Sequence, residues 1–454
     1  MTPSRILLAL HTRLAAWTAA GDAGDLLAWS GVVLMLVASL AGWLTMPLQG
    51  QAMGYSLPLW GSDAPFVAHL PRSPVHVASY GVLCALIGLV AAVATARRWG
   101  SRWLFHAGSA AILVGFGFYL VLVFDQPEVL EAASRQLRER SRIADFSAEV
   151  LDGNAASHRA ELPARPRGLA ERLYIALDLT DVASVGMGWR IAVLAGLLLQ
   201  VAAWRRPRRP SRLDVGAITV ALTAMTAVLS ARALNAEVLV IRADRQLAEG
   251  TFVRAEEIYE QARATDPTLE WNAGFSHRIG AALYQLGRTD RAERHVYLGD
   301  NFASHLDDVS ALQNYRAALA IRPDLGVASS KAADALVDLG LALYRKGNRQ
   351  SAIARWEEAT VLSPSRIDAH FLLARVLFEV NGEDQRSAIA ENDILLQRVG
   401  DKLVRADAFN NLGDCYSRQN DLSQARLMYR RSLASFQLVK RVINFNALTG
   451  LQGL

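Results

Sequence analysis

The sequence predicts an all-α protein in two parts, a polytopic membrane bundle of five helical spans followed by an α-solenoid of paired helices. Five apolar stretches in the first half are each long enough to cross a bilayer as a helix. In the second half, small and aromatic residues recur with the fixed spacing typical of stacked helix pairs. The predicted parts are an N-terminal segment at residues 1–25, a membrane domain at 26–233 and a solenoid at 236–454.

The composition of the 454 residues fits such a divided chain. Hydrophobic residues make up 52% and charged residues 20%, so the chain is too apolar for an ordinary soluble protein and too charged to lie wholly in a membrane. Residues 235–454 hold 27 basic and 28 acidic side chains, so the positive excess lies in the first half. The two cysteines, Cys84 and Cys415, lie far apart and imply neither a disulfide framework nor a cysteine-based metal site.

The predicted spans cover about residues 26–46, 75–96, 103–124, 185–204 and 213–233. The fifth is rich in alanine and threonine, and its assignment decides on which side of the membrane the solenoid lies. Between the third and fourth spans, an outer loop at 125–184 begins with a helical pattern. Its apolar stripe consists of Leu130, Ala133, Leu137, Ile143 and Phe146.

Arginines are concentrated in two short loops, RRWGSR between the second and third spans and RRPRRPSR between the fourth and fifth. Short loops rich in Lys and Arg stay in the cytoplasm, so these loops predict a cytoplasmic N-terminus and an outer C-terminal half. In a Gram-negative bacterium this is a multi-pass inner-membrane protein with a periplasmic solenoid. The residues that set this topology are Arg97, Arg98, Arg102, Arg205, Arg206, Arg208, Arg209 and Arg212. Apolar spans flank the second loop closely and leave little room for a duplex, so no nucleic acid is expected.

The spans themselves offer few chemical groups. Their interiors lack Asp, Glu, Lys and Arg, which argues against a transport pathway. His76 and His106 are predicted at opposite ends of neighbouring spans, so they are not expected to share a haem or a metal. Small residues such as Gly81 and Ala85 recur at the spacing that lets helices approach closely, within this bundle or against membrane helices of a partner subunit.

The second half contains an internal repeat. One ladder of intervals 5, 4, 3 and 5 is formed by Gly250, Ala255, Tyr259, Ala262 and Pro267, and a second by Gly347, Ala352, Trp356, Ala359 and Pro364. The ladder resembles the tetratricopeptide repeat, a helix–turn–helix of 34 residues. Further copies lie at about 273–306, 367–402 and 406–439, which gives five to six repeats. Residues 310–323 look like the second half of a repeat whose first helix is degenerate.

The resemblance implies a curved solenoid whose inner, concave face binds a protein partner. The residues expected on that face are His277, Tyr284, Gln285, Tyr344, Arg345, Arg375, Phe378, Asn410, Asp414 and Arg418. Some members of the family hold a C-terminal carboxylate with Lys and Asn on successive inner helices. The matching positions here are Val240, His277, Val337, Phe371 and Asn410, so that clamp is not evident.

The pattern therefore predicts a non-enzymatic, membrane-anchored scaffold that binds proteins on the outer face, contacts the lipid bilayer and supports an envelope complex. No phosphate-binding glycine loop, nucleophile motif or metal-ligand spacing occurs in the sequence, and no cofactor is expected. One alternative is an accessory subunit of a transporter or channel. Another is a membrane enzyme whose site would lie in the loops at 47–74 and 125–184.

Overall fold

The computed structural model describes residues 23–57, 78–124, 126–152, 186–206 and 209–437. Within these ranges the chain is mostly helical. The α-helices, numbered in chain order, are α1 (Ala23–Leu40), α2 (Tyr80–Ala96), α3 (Ser101–Phe124), α4 (Pro127–Asp152), α5 (Met187–Arg205), α6 (Arg212–Ala248), α7 (Phe252–Thr265), α8 (Ala273–Gln285), α9 (Ala292–Ser304), α10 (Asp308–Ile321), α11 (Gly326–Arg345), α12 (Arg349–Leu362), α13 (Ile367–Val380), α14 (Arg386–Arg398), α15 (Lys402–Arg418) and α16 (Leu422–Gln437).

The chain divides into two compact units, each assembled from separate stretches of sequence. The first, the N-terminal unit, consists of residues 1–45, 51–126 and 183–231. The second, the C-terminal unit, consists of residues 46–50, 127–182 and 232–454. The C-terminal unit therefore contains α4 and a short turn before it, in addition to the predicted solenoid.

The N-terminal unit contains the helices that match the predicted spans, with shifted ends. Among the described residues, α1, α3, α5 and α6 are long and apolar enough to cross a membrane, whereas α2 is apolar but has only 17 residues. Helix α2 begins late because the side chain of Ser79 accepts the backbone N–H of Val82 and caps it. Helix α6 does not end near residue 233 but continues to Ala248, since no glycine or proline interrupts it there.

A two-stranded sheet is the exception to the all-α prediction. Its strands are β1 (Gly42–Met46) and β2 (Gly50–Met53). The apolar run from residue 26 to 46 had been predicted as one span, but Gly50, at φ +97°, lets the chain turn back into a hairpin. Trp43 is fully buried and donates its indole N–H to the carbonyl of Ala38 at 2.8 Å. This bond fixes the strand against the end of α1.

Close contacts between small residues hold the helices of the N-terminal unit together. A Cβ atom on Gly108 of α3 would lie 2.5 Å from the carbonyl oxygen of Gly196 on α5, so the two backbones meet directly. Such small-residue contacts let helices pack in an apolar surrounding where the hydrophobic effect between them is weak.

In the C-terminal unit, helices α6 to α16 stack as pairs, and the same contact recurs between the members of a pair. An aromatic ring of the second helix lies on a small residue of the first, sixteen positions earlier. The contact joins Gly299 to Tyr315, Gly340 to Trp356 and Gly413 to Tyr429. At Gly340 a Cβ atom would lie 2.2 Å from the indole nitrogen of Trp356, so only glycine fits.

This contact identifies the first helix of the repeat that had looked degenerate in sequence. Tyr315 of α10 packs on Gly299 of α9, and its hydroxyl donates to Asp300 at 2.9 Å. The same tyrosine-to-aspartate bond joins Tyr429 to Asp414 at 2.8 Å. Helix α9 also packs against α8, so it is the second helix of one pair and the first helix of the next.

Candidate protein-binding face

Helix α4 lies against the face that the first helices α11, α13 and α15 present. Phe146 of α4 is 1% exposed and contacts the rings of Tyr344 on α11 and Phe371 on α13, with centroids 5.3 and 6.5 Å away. Ile143 belongs to the same buried cluster, which continues into the core of the solenoid. Ala133, Ile143 and Phe146 of the predicted apolar stripe on α4 are thus buried, and Leu137 is half-buried.

An arginine of α4 occupies the centre of this contact. Arg142 donates to both oxygens of Asp338 at 3.0 and 3.1 Å, to Asp334 at 2.7 Å and to Asp368 at 3.2 Å. Arg366, which is fully buried, binds Asp334 and Asp368 from the other side. Two guanidinium groups therefore pair with three carboxylates that successive repeats direct into the groove.

Ion pairing keeps these carboxylates charged despite their burial. Burial alone raises the pKa of Asp334 and Asp368, but Arg366 and Arg142 outweigh it, and both pKa values lie below the ordinary range. Burial lowers the pKa of Arg142, but the charges of Asp338, Asp334 and Asp368 together outweigh it and raise the pKa. The charged states of Asp334, Asp368 and Arg142 therefore depend on their partners.

Glu139, one turn before Ile143 on α4, is buried where its charged form is disfavoured. Its carboxylate accepts the backbone N–H of Ile367 at 3.1 Å. Burial raises the pKa of Glu139 to about 7, the charge of Asp368 adds to the rise, and Arg366 and Arg135 oppose it. Docking of α4 therefore favours the protonated form of this side chain.

The turn at residues 46–50 joins the same assembly. The side-chain oxygen of Gln136 on α4 accepts the backbone N–H of Leu48 at 3.1 Å. The carbonyl of Leu48 in turn accepts the N–H groups of Gly400 and Asp401 at 2.8 and 2.9 Å. Leu48 is fully buried, so this turn fixes α4 to the start of α15 through main-chain bonds.

The residues predicted for partner binding fall into three groups. The central group, Tyr344 and Arg345, contacts α4: Tyr344 packs on Phe146, and Arg345 binds Glu149 at 3.0 Å. These two side chains already have a partner within the chain, which the sequence alone did not indicate.

The C-terminal group is Arg375, Phe378, Asn410, Asp414 and Arg418. The guanidinium of Arg418 lies 3.8 Å above the ring of Phe378 and also donates to the carbonyl of that residue. Arg375 lies 5.5 Å from the same ring and 3.7 Å from Asp414. Asn410 is nearly buried beside them. This group forms an aromatic and arginine-rich surface beyond α4.

The N-terminal group is His277, Tyr284 and Gln285 on α8. His277 is 2.9 Å from Asp300, and its ring packs against Tyr297. Tyr284 and Gln285 are exposed, and Tyr284 also packs against Tyr297. The three residues lie on a separate part of the predicted inner face.

In the N-terminal unit, the arginines that were predicted to set the membrane topology lie at one end of the helices. Arg102 binds Asp214 at 2.8 Å, and Arg206 binds Asp25 at 2.7 Å and the carbonyl of Trp99 at 3.0 Å. Arg206 therefore joins the second basic loop to the first loop and to the start of α1. Arg97, Arg98, Arg205, Arg209 and Arg212 are exposed, whereas Arg208 lies outside the described residues.

In the part of the chain that the structure describes, no cluster of three or more His, Cys, Asp or Glu side chains is arranged to hold a metal ion. His76 lies outside that part. His106 is 3.4 Å from Asp214.

Comparison with known proteins identifies the repeats. Models of the tetratricopeptide repeat match residues 210–270, 337–402 and 406–435. The C-terminal part of this chain contains tetratricopeptide repeats. No family matches the part before residue 210. The first match includes the apolar segment that was predicted as the fifth span.

Relatives share the repeats over limited lengths. Stress-induced-phosphoprotein 1 of Caenorhabditis elegans is 33% identical over 116 residues, which are 24% of this chain and 36% of that protein. This chain thus spans about a third of the length of that relative.

Solved structures of TPR proteins are similar to this chain at low identity. YrrB, described as a TPR protein with an unusual peptide-binding site, is 16% identical, with a TM-score of 0.25 over 47% of this chain and 90% of its own. The TPR domain of P58(IPK) is 16% identical, with a TM-score of 0.26 over 82% and 83%. Scores this low carry no argument about function.

Several residues that build this face could not be chosen from the repeat pattern alone. Asp334 and Asp368 are 34 residues apart, one repeat length, so their spacing was a usable signal for an acidic row. Arg142 carried no such signal because it lies in the loop before the repeats. The apolar stripe on α4 showed only that this helix had to be buried somewhere.

We predict that Arg142→Met weakens the C-terminal unit by about 3–5 kcal/mol, because Asp338 would lose its guanidinium partner and Asp334 and Asp368 would be left mainly with Arg366. Arg138→Met is the matched control, since Arg138 reaches Asp334 only at 3.8 Å and is partly exposed, and its loss should cost about 1 kcal/mol or less. Thermal and urea unfolding in detergent measure both. Equal losses in the two variants would contradict a central role for Arg142.

A second prediction concerns pH. Folded Glu139 holds its proton more tightly than an unfolded glutamate with the ordinary pKa of 4.5, so its stabilising contribution is complete below that pH and is lost as the pH rises through about 7. The loss is on the order of 3 kcal/mol. Glu139→Gln should therefore stabilise the protein at pH 8 and flatten the pH dependence of unfolding, whereas Glu257→Gln on the exposed surface should change neither. An unaltered slope in Glu139→Gln would show that another group titrates.

Proposed function

We propose that this protein is a membrane-anchored scaffold whose repeats bind a protein partner on the periplasmic face of a bacterial inner membrane and so support assembly or recruitment of an envelope complex. The observation that carries the proposal is the seating of α4. Its Phe146 and Arg142 anchors fill the inner face in the manner of a bound helix, so this surface has the chemistry of a protein-binding groove.

The partner surface of this scaffold is the part of the inner face that α4 leaves open. Tyr344 and Arg345 serve the internal helix, and a partner would have to displace α4 to reach them. Phe378 and Arg418 lie beyond α4 and combine an aromatic ring with a guanidinium, a pairing that is enriched at the energetic centres of interfaces. We therefore assign partner binding to the C-terminal group first.

Membrane anchoring is supported by the outer surface of the N-terminal unit. The first part of α6 exposes Leu213, Val220 and Val228 by 84, 68 and 76%. Leaving so much apolar surface in water is unfavourable by roughly 25 cal/mol per Å², whereas lipid would cover it without cost. Although the repeat model includes this segment, its exposure favours a fifth span.

The orientation rests on the basic end of the same unit. Trp99, Trp103 and Trp204 are exposed near the arginine loops, as aromatic side chains are at the headgroup level of a bilayer. The two loops and the start of α1 lie at this one end, which is the arrangement that a cytoplasmic N-terminus requires.

The orientation predicts the behaviour of reporter fusions. A reporter fused after Arg212 should be active in the cytoplasm, and one fused after Leu454 should be active in the periplasm. A cytoplasmic signal from both positions would remove the fifth span and place the repeats inside the cell.

Partner binding is tested by capture from membranes in mild detergent. A protein that copurifies with the wild type should be lost, by tenfold or more, from a Phe378→Ala/Arg418→Ala double variant, because truncating such anchors costs about 2 kcal/mol or more. Val361→Ala is the control, since this exposed side chain lies on α12, a second helix of its pair. Capture that is equal in all three proteins would contradict a partner site at the C-terminal group.

A further inference from the structure

A partly enclosed cavity lies where α4 meets the C-terminal repeats. Its volume is about 70 Å³. Phe146 of α4 and Phe371 of α13 form one side, and Asn392 of α14 together with Asp407 and Asn410 of α15 form part of the other. By the measure in which one water molecule needs about 10–15 Å³, the cavity has room for several waters or one small polar group.

The cavity contains buried hydrogen-bond acceptors without donors. The side-chain oxygens of Asn392, Asn410 and Asn411 are buried, and the described part of the chain supplies no hydrogen bond to any of them. These side chains are 1, 6 and 7% exposed. Asn392 donates its amide nitrogen to the carbonyl of Ala388 at 2.7 Å, which fixes its oxygen as the unpaired atom. Arg375 also lines the cavity, and its Nε is a buried donor without an acceptor among the described residues. Unpaired buried polar atoms are costly, and the three oxygens outnumber this one nitrogen, so the cavity is short of donors.

Asp407 adds a carboxylate to the same wall. Burial raises its pKa to about 7, Arg375 opposes the rise and Asp401 adds to it. On the α4 side, the cavity is lined by the uncharged residues Phe146 and Ser147. No hydrogen bond reaches the Asp407 carboxylate from the residues that the structure describes. Asp407 therefore lacks the donors that hold Asp334 and Asp368 in their charged form.

We propose that this cavity binds a primary ammonium group, namely the side chain of a lysine that the protein partner inserts beside α4. An ammonium group offers three N–H donors and a positive charge to the three amide oxygens and the Asp407 carboxylate. The methylene stem of a lysine would pack on Phe146 and Phe371, as long cationic side chains do on apolar surfaces.

The chemistry of the wall separates this ligand from others. A carboxylate would meet oxygen acceptors and Asp407, with Arg375 as its one cation, and would be repelled. A planar guanidinium directs five donors in a fixed fork, whereas the compact ammonium is free to rotate toward acceptors on three sides. The inference rests on the proposed partner binding, because it identifies a partner contact on the same face.

The test uses the full-length protein in detergent and Nα-acetyl-lysine methylamide as the probe, with binding followed by ligand-observed NMR at millimolar concentration. The wild type should bind the probe, and Asp407→Asn should bind it at least tenfold more weakly. Asp407→Asn is isosteric and resembles the protonated residue that burial favours, so it should fold. Because Asp407 must lose its proton to pair with the cation, affinity should rise about tenfold from pH 6 to pH 8.

The controls are the Asp393→Asn variant and the norleucine and arginine analogues of the probe. Asp393→Asn removes an exposed carboxylate from α14, the helix that carries Asn392, and should bind like the wild type. The norleucine analogue of the probe lacks the charge and should not bind. Absence of binding by the wild type, equal affinity in Asp407→Asn, or equal binding of the norleucine or arginine analogue would each overturn the proposal. A partner that copurifies equally with wild type and Asp407→Asn would overturn the lysine site and leave the scaffold function intact. Probe binding without any captured partner would support the ammonium site and contradict the proposed scaffold function.

Discussion

The three aspartates at the centre of the solenoid set a constraint that the rest of the C-terminal unit must meet. Asp368 is fully buried, and Asp334 and Asp338 lie beside it on the preceding repeat. Three such carboxylates repel one another strongly at low dielectric, and Arg366 alone cannot balance them. Arg142 supplies the second cation, and it brings α4 with it. The docking of α4 is therefore a requirement of charge balance as well as a consequence of its apolar stripe.

This constraint changes how the repeat array is understood. An array of stacked helix pairs usually presents an open inner face to a separate partner. Here the middle of that face is used by the chain itself, with aromatic contacts to Phe146 on either side and main-chain bonds to Leu48 at one end. Recognition of another molecule is left to the two ends of the face and to the cavity at the edge of α4. The internal helix thereby forms one wall of the remaining site.

The sequence predicts the repeats well because their signal is local. The sixteen-residue contact of an aromatic residue with a small one lies within a single helix pair, so each copy shows it independently. The sequence did not predict contacts between residues that lie far apart in the chain. Arg142 is 192 to 226 residues away from the aspartates that it binds, and no local pattern links them.

The hairpin at Gly42–Met53 was also missed, since an apolar run gives no sign of where a helix stops when the chain turns at a single glycine. The composition and exposure of the apolar helices support a membrane-spanning role. The reporter fusions test the direction in which they cross.

The separation between Arg142 and its aspartates also has a consequence for the order of synthesis. Helix α4 leaves the ribosome long before α11 and α13 exist. At about 5–20 residues per second, the first carboxylate partner follows after roughly 10 to 40 s. During that time the solenoid surface that covers Phe146 and Ile143 in the folded protein does not yet exist. Synthesis of α11 to α13 must therefore be complete before this amphipathic helix can reach its native contacts.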